Sequence, residues 1–311
     1  MTTLQASFIV IAFNEGRTLE RTLRSITAQE ELDDYEILVI DDASTDDTVA
    51  VAERYAESDP SLRVVRQETN GGRGAARKLG VEAARGQLIA TVDSDIVLPP
   101  DWYRTCRSEL EDADAVGGIA VPDGDVAYLY RRFLLEPRPV PHIVGLTGNN
   151  ALYRSSVFTA VQFDERLRNG EDVALGHAMD SAGLRVRVVD GLYVRHEESK
   201  SFAESIGWLF ESGIGASRQL HRYRRPRPPD LVFAAFLASA GAGAILSRSD
   251  RPFLGPLLPV AYLTAASGAH VGTRFRLQRG RPGRFAGAVA ADSALLLAYF
   301  AGRLIGHARP S

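Results

Sequence analysis

The sequence predicts an α/β fold with a mainly parallel sheet, followed by a helical, membrane-associated carboxyl-terminal region. Three observations carry this reading. From Ser7 to about Asp190, short β-branched runs alternate with longer helical ones, the pattern of parallel strands joined by crossover helices. Acidic or glycine-rich clusters close several strand runs, and ligands of such sheets bind at the carboxyl ends of strands. The charge then reverses: up to Phe210 there are 22 basic and 35 acidic residues, and after it 14 and 4. That reversal, hidden in a net charge of −3, points to a basic tail that meets an anionic surface.

At 311 residues, 45% hydrophobic and 24% charged, the chain can build one large or two ordinary domains, and a disordered, collagenous or disulfide-stapled protein is excluded. Its single cysteine, Cys106, forms no intrachain bridge, so a reducing cytosol fits. The start, Met1-Thr2-Thr3-Leu4 with Glu15 soon after the first apolar run, lacks the features of a secretory signal, and the chain is expected not to be exported.

Strands are predicted at residues 7–13, 36–41, 63–67, 88–92, 115–120 and 185–190, with a helical stretch after each of the first four. The helix over 15–28 sets Leu19, Leu23 and Ile26 on one face. The next, over 45–57, opens on Asp46 and Asp47, acids that suit a helix amino terminus.

Four clusters carry chemistry. Asp41 and Asp42 end the second strand, where carboxylates accept from a nucleobase or ribose, or cap the following helix. Asn70-Gly71-Gly72-Arg73-Gly74-Ala75-Ala76-Arg77-Lys78 is a glycine-rich turn running into a helix with three cations. It invites a phosphate, although it has neither Walker nor Gly-x-Gly-x-x-Gly spacing; the alternative is a plain helix start with exposed basic residues. Asp93-Ser94-Asp95 places two carboxylates at the end of the fourth strand, oxygen donors of the kind that hold Mg²⁺ or Mn²⁺ against substrate phosphates. Glu171-Asp172 opens a later helix as a cap or as the base that any attack by a sugar hydroxyl needs. His196 offers an imidazole nitrogen to the same metal or is simply structural.

Beyond Phe210 lie three nearly uncharged spans, 231–247, 253–273 and 285–302, close to the roughly 20 residues that a crossing helix needs. Arg222, Arg224, Arg225 and Arg227 precede the first, and Arg274, Arg276, Arg279, Arg281 and Arg284 separate the second from the third. Only Arg248 and Arg251 lie between the first and second. That alternation puts the large domain on the cytoplasmic side and the carboxyl terminus outside. Core helices of a second soluble domain are the alternative, with Asp292 as their best support; in a membrane Asp292 must face other helices or a polar path. The arginines do not interleave with aromatics, so nucleic acid is not the expected partner. The organisation read from the sequence is therefore 1–200, a 201–230 amphipathic and basic linker, and 231–311.

In their order, Phe8-Ile9-Val10-Ile11-Ala12-Phe13-Asn14-Glu15, Asp41-Asp42-Ala43-Ser44-Thr45-Asp46, Asn70-Gly71-Gly72-Arg73-Gly74-Ala75-Ala76-Arg77, Asp93-Ser94-Asp95, Gly148-Asn149-Asn150 and Gly170-Glu171-Asp172 resemble a family 2 glycosyltransferase of the GT-A fold over residues 6–200. The tail is similar to membrane-attached members that build succinoglycan-type exopolysaccharides. The resemblance implies inverting transfer from a nucleotide-sugar donor to a hydroxyl acceptor, polysaccharide or lipid-linked, assisted by a divalent metal. By it Asp42 reads the base beside Asp41, while Ala12, Asn14, Glu15, Arg73, Arg77, Asp93 and Ser94 line the nucleotide. Asp95 holds the metal with Asp93 in support; Asp172 is the base and Glu171 its neighbour on the acceptor side. The Gln-x-x-Arg-Trp element of processive members is absent, since Ser217-Arg218-Gln219-Leu220 and Trp208 do not reproduce it, so one sugar per encounter is expected.

Two relatives in chemistry remain beside this reading. A polyprenyl-phosphate sugar synthase differs by having a lipid phosphate as acceptor. A nucleotidyltransferase would need a lysine in a glycine-rich stretch after the first strand, where Asn14-Glu15-Gly16-Arg17 stands instead. A scaffold that has lost turnover is disfavoured by the full set of acids.

Overall fold

The computed structural model describes residues 4–122, 146, 148–197, 201–226, 228–249, 252–277 and 285–308. Arg227, Arg279, Arg281 and Arg284 of the expected basic loops, and Arg251 of the sparse connection between the first two spans, lie outside them. The described residues up to Glu197 form one compact unit and those from Ser201 onward a second.

In the first unit the chain runs β1 (Ala6–Ala12), α1 (Leu19–Thr27), β2 (Tyr35–Asp41), α2 (Thr48–Ser58), β3 (Leu62–Arg66), α3 (Arg73–Ala83), β4 (Leu88–Asp93), β5 (Ile96–Val97), α4 (Trp102–Glu109), β6 (Ala115–Pro122), β7 (Asn150–Arg154), α5 (Val157–Ala160), α6 (Glu171–Ser181) and β8 (Val186–His196). Among the described residues the strands form one sheet in the order β3-β2-β1-β4-β7-β6-β8-β5. The β3-β2-β1-β4 half is parallel, and β7 enters antiparallel between β4 and β6. The fold is α/β with a mostly parallel sheet, as the alternating runs predict.

Alternation along β1 divides the core. Ala6, Phe8, Val10 and Ala12 pack with Leu19, Leu23, Ile26, Val51 and Trp102 of α1, α2 and α4, while Ile9 and Ile11 face Ala76 of α3 and Leu175 and Met179 of α6. Leu19, Leu23 and Ile26 are fully buried, as their spacing requires. Cys106 is buried too, which pushes its thiol up and leaves it unreactive.

One buried acid fastens this sheet. Glu36 accepts from the Ser7 hydroxyl (2.7 Å), Arg63 (2.8 Å) and the Arg85 N–H (2.7 Å). Burial opposes its charge, but these donors together hold the carboxyl below the usual glutamate range. A carboxyl lowered on folding stabilises above its unfolded value and loses that contribution as pH falls through the folded one. Glu36→Gln is therefore expected to cost about 1–2 kcal/mol at neutral pH, discounted for the partly solvated Arg63. Thermal melts should show the deficit shrinking as pH drops below the usual glutamate value; a pH-independent deficit would contradict this account.

Three strands depart from the sequence reading: β5 and the antiparallel β7, neither of which it contains, and β8. β8 continues to His196 rather than ending near Asp190, because Asp190-Gly191 forms an irregularity in the strand instead of a turn, with Gly191 at φ +82° and the β6 register slipping between Gly117 and Ile119. The two-residue β5 pairs with its end, Ile96 opposite His196.

The second unit begins with α7 (Phe202–Tyr223), opened by a capping box in which Ser201 and Glu204 bond reciprocally. α8 (Pro228–Leu246), a 3-10 turn at Pro252–Leu254, α9 (Leu257–Leu277) and α10 (Phe285–Ala308) follow. α7 and α10 run side by side in the same direction: Leu295 meets Phe202 and Ile206, Gly302 meets the Phe210 carbonyl, and His307 meets His221. Two helices among the described residues, Pro229–Leu246 and Phe285–Ala308, are long and apolar enough to cross a bilayer, whereas three were expected. α9 carries Thr264, Ser267 and His270 in its middle, polar side chains that interrupt the apolar run. Asp292 is 2% exposed and lies 3.0 Å from His270 Nδ1, so it faces another helix, which the membrane reading requires and a soluble helical core equally allows. At the other end of α10, Arg303 pairs with Asp230 in the first turn of α8 and stacks on Phe233. That places the end of α10 beside the start of α8.

Candidate active site

Register brings the acids together. Ala12 lies opposite Asp41 and Ile11 opposite Asp93, so β1, β2 and β4 end at one level. The loops beyond β1 and β2 are stitched to each other there. Asn14 donates its N–H to Ser44 Oγ (2.9 Å) and accepts from the Thr45 N–H (2.8 Å); the Glu15 N–H donates to Thr48 Oγ1 (2.8 Å). Asn14 and Ala43 both stand at positive φ, +56° and +62°, where the two loops turn sharply. Asp46 accepts from the Thr48 N–H (3.0 Å), so it serves the start of α2 as predicted.

Asp41 is fully buried and accepts from the Ser44 N–H (3.2 Å), with Arg66 at 3.9 Å. Beside it, Ala43, Ser44, Arg66, Gln67 and Glu68 line an open depression of about 410 Å³. Asp42 accepts from Gln67 Nε2 (2.8 Å) and from the N–H groups of Gly71 (2.7 Å) and Gly72 (2.8 Å). Burial pushes its carboxyl above the ordinary value, with the two glycine donors pulling the other way.

The glycine-rich turn differs from the sequence reading. Its successive N–H groups are already taken: Gly71 and Gly72 by Asp42, Arg73 by the Arg168 carbonyl (3.3 Å) and Gly74 by the Leu167 carbonyl (3.1 Å). The turn joins β2 to the segment before α6 and does not present these donors to a phosphate. Gly74 must be glycine, since a Cβ there would sit 2.2 Å from the Asp164 carbonyl oxygen. Arg73 reaches Asn169 Oδ1 (3.4 Å).

Arg77, expected along the nucleotide, is only 2% exposed; it holds Asp93 Oδ1 (2.6 Å) with one arm and Glu171 with the other. Glu171 is likewise 2% exposed, which removes it from the surface of the site. Asp172 next to it is half-buried and accepts from the Gly148 N–H (3.3 Å), and the Asp93 N–H donates to the Asn149 carbonyl (3.2 Å). Residues 148–149 thus connect Asp172 to Asp93 across 79 positions of sequence. Asn150 is fully buried and accepts from the Gly118 N–H (2.7 Å), which fixes β7 against β6.

Asp95 and His196, 101 positions apart, meet with Oδ2 and Nε2 2.9 Å apart, brought there by the β5–β8 pairing and by the Glu197 N–H, which donates to the Asp95 carbonyl (2.7 Å). Arg21 grips Glu197 (2.5 Å) and ties α1 to this strand end. Ser94 is buried, its carbonyl accepting from Thr22 Oγ1 (2.9 Å). Among the described residues no three His, Cys, Asp or Glu side chains gather as a complete metal cage. One carboxylate and one imidazole do fit an ion such as Mg²⁺ or Mn²⁺ that keeps water and substrate phosphate in its remaining positions.

Gln67, Arg21 and Glu197 support this constellation without a sequence signal, while Gly148 and Asn149 stand in a motif that carries the resemblance but to which the sequence assigns no task. The arrangement gathers carboxylates at the strand ends, a carboxylate and an imidazole 2.9 Å apart at Asp95 and His196, and a half-buried carboxylate at Asp172.

Residues 7–165 match the family model described as Glycosyl transferase family 2. The succinoglycan biosynthesis protein ExoO of Rhizobium meliloti (strain 1021) is 36% identical over 205 residues, which cover 58% of this chain and 57% of that one. The dodecaprenyl-phosphate galacturonate synthase of Rhizobium johnstonii is 35% identical over 113 residues, covering 35% and 33%. The chain spans about half the length or less of these relatives. Among solved structures, a mannosyltransferase of Pyrobaculum calidifontis in complex with GDP-Man and Mn²⁺ superposes with a TM-score of 0.64 at 21% identity, covering 98% of this chain and 88% of that one.

Proposed function

Because the chain belongs to glycosyl transferase family 2 and is a glycosyltransferase of GT-A fold, we propose that it moves one sugar, with inversion, from a nucleotide-diphosphate donor to a hydroxyl of a glycan or lipid-linked acceptor. The observation that carries this is the junction at residues 148–149, which holds Asp172 beside Asp93 at the strand ends. The nucleotide lies along Ala12, Asn14, Glu15 and Asp41, with the depression by Arg66 and Gln67 open to its base. Asp95 and His196 would hold the divalent cation, which supplies charge neutralisation for the departing diphosphate. Asp172 accepts the acceptor proton as its oxygen attacks from the face opposite the leaving group. One displacement inverts the anomeric carbon.

The galacturonate synthase relative raises the second reading, a lipid-phosphate acceptor. A phosphate is already ionised and needs no base, so a carboxylate placed like Asp172 favours a hydroxyl. The test is transfer from radiolabelled nucleotide-sugars in membranes carrying the chain. Labelled glycan or glycolipid formed by it supports the proposal; labelled prenyl phosphate or pyrophosphate release from a nucleoside triphosphate contradicts it.

The second unit attaches the enzyme to a membrane, with the catalytic unit on the cytoplasmic side. Exposed Leu231, Leu237, Ile245, Phe253, Leu297 and Leu304 supply its apolar surface. Since Arg303 pairs with Asp230, the end of α10 belongs on the same face as the start of α8. Reporters placed after Arg225 and after the carboxyl terminus are expected to be accessible from one side. Labelling from opposite sides would restore the three-crossing reading.

A further inference from the structure

We propose that Arg77 is a positioning residue, which sets the base Asp172 relative to the donor-side acids and does not touch the nucleotide. Its guanidinium is a buried fork between two carboxylates, 2.6 Å from Asp93 Oδ1 on one arm and against Glu171 on the other, with all three residues on different elements, α3, β4 and α6. Phe163 underlies the guanidinium, its ring centroid 6.0 Å away. Gly148 closes the remaining side: a Cβ there would stand 2.7–2.9 Å from the guanidinium atoms. That contact matters because the Gly148 N–H donates to Asp172 (3.3 Å) while the neighbouring Asn149 carbonyl receives the Asp93 N–H (3.2 Å).

One planar cation therefore fixes the end of β4, the first residue of α6 and the backbone between them. A fork of fixed geometry does this where an ammonium would not, since its donors point in set directions. Its 2% exposure leaves no open surface for a phosphate. Glu171 becomes the anchor that aims Asp172, which explains an acid beside the base that faces the interior.

The inference rests on the transfer reading above, and its test has a part that does not. Arg77→Lys, Arg77→Met, Glu171→Gln and the double variant Arg77→Met/Glu171→Gln are compared with the parent chain. The measurements are donor-nucleotide affinity by calorimetry without acceptor, steady-state transfer, and thermal melting. Expected is a fall in kcat of about 100-fold, the scale of an ångström of misplacement, with nucleotide Kd and donor KM within about threefold. The double variant should lose no more than the worse single one, because both break the same fork. If Arg77→Met fails to fold, Arg77→Lys and Glu171→Gln carry the comparison. A nucleotide Kd weakened about tenfold or more in a folded Arg77 variant would overturn the proposal, as would fully additive losses. Absence of transfer by the parent chain would instead strike the transfer reading, while the Kd comparison still decides whether Arg77 meets the nucleotide.

Discussion

Asp172→Asn is expected to lower kcat for sugar transfer by about 10³-fold, within the range that removal of a positioned general base produces. The substitution keeps size and can still accept from the Gly148 N–H, so the junction to Asp93 survives and only the proton acceptor is lost. Donor KM and nucleotide affinity should stay near those of the parent, because the proposed mechanism gives Asp172 a task toward the acceptor alone. The variant also separates the two acceptor chemistries. An already ionised lipid phosphate would leave Asp172→Asn nearly as active as the parent, and that result would move the enzyme to the prenyl-phosphate reading.

Asp95→Ala should be comparably severe, about 10³-fold, since a Lewis acid at a leaving diphosphate stabilises the transition state by several kcal/mol. The loss should come with weaker binding of Mn²⁺ and of the donor together, a signature opposite to that of Asp172→Asn. His196→Ala is expected to fall between, as the imidazole 2.9 Å from Asp95 shares the task. Restoration of part of the activity by high Mn²⁺ in His196→Ala, but not in Asp95→Ala, would place the carboxylate as the principal ligand. Full activity of Asp95→Ala in a chelated buffer would remove the metal from the mechanism.

The two predictions rest on residues of unequal legibility. Asp41, Asp93 and Asp95 were readable because each closes a β-branched run, and strand ends are where a parallel sheet gathers its ligands. Leu19, Leu23 and Ile26 were readable for a similar reason, their helical spacing. The burial of Arg77 is not legible in the sequence, because a basic residue in the first turns of a helix after glycines looks solvent-facing, and its two acidic partners lie 16 and 94 positions away. The glycine turn misled in the same way: donors that look free in sequence are taken by Asp42 and by carbonyls at 167 and 168.

β8 was cut short because Asp-Gly is a strong turn signal, whereas here tertiary pairing absorbs it as a register slip. That error concealed why His196 reaches Asp95: the pairing of Ile96 with His196 needs the strand to continue. In the second unit, length and absence of charge suggested three crossings. The polar middle of α9 keeps its hydropathy below that of a crossing helix, and the Arg303–Asp230 pair, which hydropathy does not see, argues for a different arrangement.

The most direct measurement is a crystal or cryo-EM structure of the chain with a nucleoside diphosphate and Mn²⁺ bound. The account predicts the nucleotide along the ends of β1, β2 and β4, the ion between Asp95, His196 and the diphosphate, and Asp172 facing the empty sugar position from the far side. Density for the nucleotide on another face of the sheet, with Asp95 and Asp172 sharing no cleft around it, would contradict it.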